Sequence, residues 1–105
     1  MDFNAYQKQA VSTAIYPKSA SILYPAIGLV NEAGELIGKV KKTIRGDTED
    51  FPRQALIDEL GDVLWYAAAL ANDLGVTLED VAIRNIEKLS DRKERNVLKG
   101  DGDNR

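Results

Sequence analysis

One apolar seam constrains this chain more than any other feature. Leu56, Leu60, Val63, Ala67, Leu70 and Leu74 recur alternately by four and three residues, which sets all six on one face of an α-helix. Ile57, Leu64, Ala68 and Ala71 make the far side of that helix apolar as well. Such a helix must be covered on more than one face, and a chain of 105 residues has one modest core to do it with. The expectation is an all-α four-helix bundle completed by homo-oligomerisation.

The remaining segments also read as helices, because apolar residues keep helical spacing and alternating β-branched runs are absent. The first spans roughly residues 2–15, with Asp2 as N-cap and a stripe of Phe3, Tyr6, Ala10 and Ala14 before Pro17. The second starts near Pro25 and runs to about Ile44, where Arg45-Gly46-Asp47 supplies a stop and 46–51 forms a surface loop. The third opens at Pro52 and ends at Gly75; the fourth begins at its N-cap Thr77 and runs to about Leu98. Residues 1–98 then form a single domain, and residues 99–105 a mobile tail unless a ligand or neighbour orders them.

Composition removes whole classes of chemistry. With no cysteine and no histidine there are no disulfides, no zinc thiolate sites and no Ser/His or Cys/His nucleophile. The net charge of −3 is mild, and no basic groove with interleaved aromatics points to a polymeric nucleic acid. The longest apolar run, Val63 to Ala71, is far below a membrane span, and Met1-Asp2-Phe3-Asn4 lacks the features of a signal peptide, so the expected address is cytoplasmic.

What remains is carboxylates, cations and amides. Glu32 and Glu35 are three apart on the second helix, Glu59 and Asp62 three apart on the third, so each pair shares a face at the edge of an apolar stripe. Two charges about 4 Å apart repel by about 4 kcal/mol at an effective dielectric of about 20. Four clustered carboxylates therefore need a cation or raised pKa values. Mg²⁺ suits an all-oxygen set shared with waters and phosphates, and Mn²⁺ is a possible substitute. A single acidic pair would more often be a solvated helix face; two pairs on adjacent core-facing seams are less casual.

Cations stand in line with the acids. Lys39 and Lys42 follow Glu32 and Glu35 by seven residues each, a spacing that suits metal-bound triphosphate. Lys41 and Arg45 read equally well as favourable charge at a helix C-terminus. On the fourth helix Asn85, Lys88 and Arg92 continue the apolar stripe of Leu78, Val81 and Ala82 and are candidates for the other wall of a cleft. Gly28, Gly34, Gly38 and Gly61 each cost about 1 kcal/mol against Ala in a helix interior, which close helix approach or space for a ligand would explain. Trp65 reads as packing, and Tyr66 is open between packing and stacking on a base.

The blocks Gly28-Leu29-Val30-Asn31-Glu32-Ala33-Gly34-Glu35-Leu36 and Asp58-Glu59-Leu60-Gly61-Asp62-Val63-Leu64-Trp65 resemble the E-x-x-E and E-x-x-D motifs of MazG-like nucleoside triphosphate pyrophosphohydrolases. Asn85-Ile86-Glu87-Lys88-Leu89 and Arg92 resemble the last-helix pattern of that family, and the likeness covers roughly residues 24–98. It implies Mg²⁺-dependent cleavage of a (deoxy)nucleoside triphosphate to monophosphate and pyrophosphate, in dimers or dimers of dimers. It also implies Glu32, Glu35, Glu59 and Asp62 as metal ligands, and substrate contacts from the polar groups of the last helix. Glu35 is then the candidate base with Glu32 beside it, and Lys39, Lys42, Asn85, Lys88 and Arg92 the substrate contacts. The same scaffold would suit dUTP, dCTP or phosphoribosyl-ATP; a helical interaction module without catalysis is the alternative of another class.

Overall fold

The computed structural model describes residues 1–47, 51–103 and 105. Four helices form in the expected order: α1 (Phe3–Val11), α2 (Leu23–Arg45), α3 (Arg53–Asp73) and α4 (Leu78–Glu94), with one 3₁₀ turn at Lys18–Ala20. There is no strand among the described residues.

Local chemistry sets most of the ends. Asp2 caps α1 by accepting from the Ala5 amide at 2.8 Å. Thr77 and Asp80 form a reciprocal capping box that opens α4. Gly75, at φ +79°, closes α3: its amide donates to the Asn72 carbonyl and that of Val76 to the Ala71 carbonyl, both at 3.0 Å. Gly46, at φ +93°, ends α2 in the left-handed conformation. Of the expected loop at 46–51, residues 48–50 lie outside the described residues.

Two expected helix ends are corrected. α1 stops at Val11 rather than near residue 15, because the Ser12 and Thr13 hydroxyls bond the Gln9 and Ala10 carbonyls and compete with the helical ladder. Ala14 therefore falls outside the helix. α4 stops at Glu94 rather than near Leu98, because Asn96 takes φ +59°, a conformation that Asn tolerates better than most side chains. α2 begins two residues before Pro25, whose missing amide hydrogen costs nothing in a first turn.

The third helix is the hub. α2 packs along it, and α1 and α4 pack on it and on each other. The leucine seam is not its deepest face: Leu60 and Leu74 are exposed, whereas Ala68, Ala69 and Ala71 are buried, small side chains that let neighbouring backbones come close. Ala10, Ala68 and Leu78 form the core cluster, with Tyr6, Leu64 and Trp65 against it. Gln7 binds three segments there: its Nε2 donates to the Ala68 and Val76 carbonyls at 3.2 Å, and its Oε1 accepts from the Leu78 amide at 3.0 Å. A buried amide satisfied on both ends fixes the seat of α1.

Much apolar surface stays open. Val30, Ile37 and Ile44 repeat every seven residues on α2 and are 72%, 60% and 82% exposed. The accessible surface is 7879 Å², where a folded chain of this mass is expected to expose about 5,800 Å². The radius of gyration of 16.7 Å likewise exceeds the roughly 13 Å expected for this length.

Candidate metal centre

The acidic pairs meet because α2 and α3 lie side by side. One carboxylate oxygen from each of Glu32, Glu59 and Asp62 lies within 4.8 Å of the others. Glu32 and Glu59 are half-buried, and each has a buried Oε2 without a hydrogen-bond partner. Burial pushes the Glu32 carboxyl up to about 7, helped by hydrogen bonding to Glu35 and Glu59 and by the charges of Glu35 and Asp62. Desolvation and like charge both disfavour the ionised form. Glu35, one turn along, is exposed and stands outside the close trio.

The donors present fit a hard divalent cation. Three carboxylates converge, two of them with orphaned buried oxygens, and an unpartnered buried acceptor is costly unless something positive meets it. Lys39 supplies part of that charge within the chain, its Nζ 3.6 Å from Glu59 Oε1. It thus bridges two helices rather than pairing with Glu35 one turn back on its own.

Aromatic residues wall the site. A cavity of about 380 Å³ is lined by Glu32, Asp62, Thr13, Trp65 and Tyr66. The Trp65 indole N–H donates to Thr13 Oγ1 at 2.9 Å, and the ring packs on the core, as expected for a packing residue. Tyr66 stands edge-on to Trp65 with ring centroids 4.9 Å apart, and its ring occupies the space that a side chain on Gly28 would need. Close approach explains that glycine. A methyl group on Gly34, Gly38 or Gly61 would meet nothing within 4 Å, so close approach within one chain does not explain those three.

The connection between α1 and α2 is tied down by residues that no sequence motif marks. Asp73 Oδ2 accepts from the Tyr16 hydroxyl at 2.8 Å and from the Ile22 amide at 2.9 Å, while Tyr16 stacks on Tyr24 with centroids 4.7 Å apart. Burial, then Asp73, pushes the Tyr16 hydroxyl up to about 12. Ile22 sits at φ +68°, an uncommon conformation for a β-branched residue, under that Asp73 bond. Thr13, two residues beyond α1 and bonded to the Ala10 carbonyl and the Trp65 indole, joins the wall of the site; no spacing along the sequence signals it.

The remaining candidates lie elsewhere in the single chain. Lys42 is exposed near the end of α2, where Arg45 Nε donates to Asp47 Oδ1 at 2.9 Å. Asn85 and Lys88 line a separate cavity of about 660 Å³ with Arg84 and Asp103. Arg92 is 5% exposed and holds the C-terminal tail through the Asp103 carbonyl at 2.9 Å.

Residues 24–97 match the MazG nucleotide pyrophosphohydrolase domain. The Gene 37 protein of Mycobacterium phage L5 is 46% identical over 114 aligned positions covering 100% of both chains. The YvdC protein of Bacillus subtilis (strain 168) is 39% identical over 74 positions, 63% of this chain and 70% of that one. No solved structure matches the chain. No helix among the described residues is long and apolar enough to cross a membrane. With Glu32, Glu59 and Asp62 converging between α2 and α3 inside the matched region, the chain belongs to the MazG family of the all-α nucleotide pyrophosphohydrolases, which act on phosphoanhydride bonds.

Proposed function

We propose that this protein hydrolyses a (deoxy)nucleoside triphosphate to the monophosphate and pyrophosphate in a Mg²⁺-dependent reaction. The observation that carries the reading is the trio of carboxylate oxygens within 4.8 Å, two of whose residues each keep a buried oxygen without a partner. Glu32, Glu59 and Asp62 would hold the ion, with Glu35 as a further ligand from the adjacent turn. When bound, Mg²⁺ supplies charge neutralisation for the leaving pyrophosphate and acidifies a water.

The chain's own residues do the rest. Glu35, exposed beside Glu32 and not fully engaged by the metal, takes the proton of the attacking water. Lys39 and Lys42 approach the phosphates from α2; Asn85 orients a phosphate or sugar oxygen, and Lys88 and Arg92 add cationic contacts from α4. Trp65 and Tyr66 give the cavity an apolar wall that lowers the local dielectric and strengthens each charge interaction.

Self-association belongs to the same proposal. The exposed stripe of Val30, Ile37 and Ile44, with surface about a third above that expected of a monomer, fits a second copy of the chain better than water. Assembly would also let α4 cations of one copy approach the carboxylates of another.

The test is pyrophosphate release from a panel of canonical and modified (d)NTPs, with Mg²⁺ and with EDTA, comparing wild type with Glu59→Gln. Release that needs Mg²⁺ and disappears in the variant is expected, and the panel ranks substrates. No release from any nucleotide would refute the reading and favour phosphoribosyl-ATP as the substrate or an interaction module.

A further inference from the structure

We propose that the C-terminal tail is a releasable latch, in which the Asp103 carboxylate stands in for a substrate phosphate on Lys88 and Arg92. The inference rests on the reading of those two residues as phosphate ligands, and adds that their site is occupied by the chain itself until substrate arrives.

Arg92 is a cation fixed in the fold, only 5% exposed. Its Nη2 donates to the Asp103 carbonyl at 2.9 Å and, at longer range, to the Gly102 carbonyl at 3.5 Å and Asp103 Oδ1 at 3.4 Å. Lys88 Nζ lies 3.1 Å from the same Oδ1. One anionic oxygen shared by an ammonium and a guanidinium is the arrangement that a phosphate oxygen adopts between Lys and Arg. The adjoining cavity of about 660 Å³, with Arg84 and Asn85 on its wall, leaves room for a polyphosphate to enter beside the tail.

The tail is shaped to make this contact. Asn96 at φ +59°, Gly100 at φ +133° and Gly102 at φ +84° turn the chain back on α4. Arg105 closes the loop by donating to the Val97, Gly102 and Leu98 carbonyls at 3.2, 2.7 and 3.2 Å. Its stem lies 3.2 Å from where a Gly100 side chain would start.

The latch is also built to open. Residues 99–103 are all exposed, and the Asp103 side chain is 81% exposed, so polar contacts that water can replace hold it. Exposed ion pairs of this kind are weak, whereas a triphosphate brings several charges to the same cations.

Titration of inorganic tripolyphosphate into the full chain in EDTA buffer, followed by calorimetry, tests the proposal on wild type, Asp103→Asn and Asp101→Asn. Asp101 carries the same charge in the same tail but forms no ion pair among the described residues. Binding is expected to tighten about fivefold in Asp103→Asn alone, and the KM for a nucleoside triphosphate to fall by a similar factor with kcat unchanged. Equal affinity in wild type and Asp103→Asn, an equal gain in Asp101→Asn, or no tripolyphosphate binding to any of the three would overturn the latch. Normal turnover without the Asp103→Asn effect strikes the latch alone. A tightened tripolyphosphate affinity without turnover in any protein upholds the latch and strikes the catalytic reading.

Discussion

The two charged regions of this protein solve opposite problems. On α2 and α3, Glu32, Glu59 and Asp62 crowd together with Lys39 as their nearby cation, and two buried oxygens lack partners. On α4, Lys88 and Arg92 are met by Asp103 and by tail carbonyls. The acidic region is electrostatically incomplete within one chain, while the basic region is complete. On the proposals above, a ligand would bind the first by adding charge and the second by displacing it.

The largest effects are expected in the incomplete region, where the proposed reaction would take place. Asp62→Asn and Glu35→Gln should each keep a helical fold, read by circular dichroism, and lose about 10²- to 10³-fold in turnover. Full Mg²⁺-dependent activity in either would break the assignment of the acids.

Next come the glycines, which separate packing from open space. Gly28→Ala drives a methyl into the Tyr66 ring and should destabilise by about 1–3 kcal/mol, outweighing the roughly 1 kcal/mol of helix propensity gained. Gly34→Ala meets nothing within 4 Å and should stabilise the single chain by about 0.5–1 kcal/mol. Urea denaturation reads both. Loss of self-association in Gly34→Ala by light scattering would place the second copy on that face.

The pH dependence of the metal-free protein sharpens the contrast further. Glu32 titrates near 7 in the fold and at 4.5 when unperturbed, so the folded state holds the proton more tightly. Its contribution is fully present below about 4.5 and is lost as pH rises to about 7. The melting temperature without metal should fall across that window, and saturating Mg²⁺ should flatten the fall. The smallest effect is expected for Lys39→Ala, whose partly exposed bridge to Glu59 contributes at most about 1 kcal/mol.

How much of this is legible in the sequence depends on the range of the forces involved. Helix number, order and most ends follow from local signals such as Asp2, Thr77 with Asp80, Gly46 and Gly75, and each is found in place. The stops at Val11 and Glu94 escape, because a hydroxyl at Thr13 and a left-handed Asn96 compete with helix by mechanisms that apolar spacing does not register. The meeting of Glu32, Glu59 and Asp62 is legible because both acidic pairs border apolar seams. Gln7 in the core, Thr13 beside Trp65, and Asp73 under Tyr16 and Ile22 are not, since each depends on contacts more than fifty residues apart in sequence. The leucine seam misleads about burial because the small side chains of Ala68 and Ala71 on its flank, and of Ala69 behind it, admit a closer neighbour.

The most direct test of the account is the melting temperature of wild type and Glu32→Gln at pH 8, each with Mg²⁺ and with EDTA. Mg²⁺ is expected to raise the wild-type value, whereas Glu32→Gln is expected to melt higher than wild type in EDTA and to gain nothing from Mg²⁺. A wild-type value indifferent to Mg²⁺, together with a variant less stable than wild type in EDTA, would contradict the claim that the carboxylates form an incomplete site awaiting a cation.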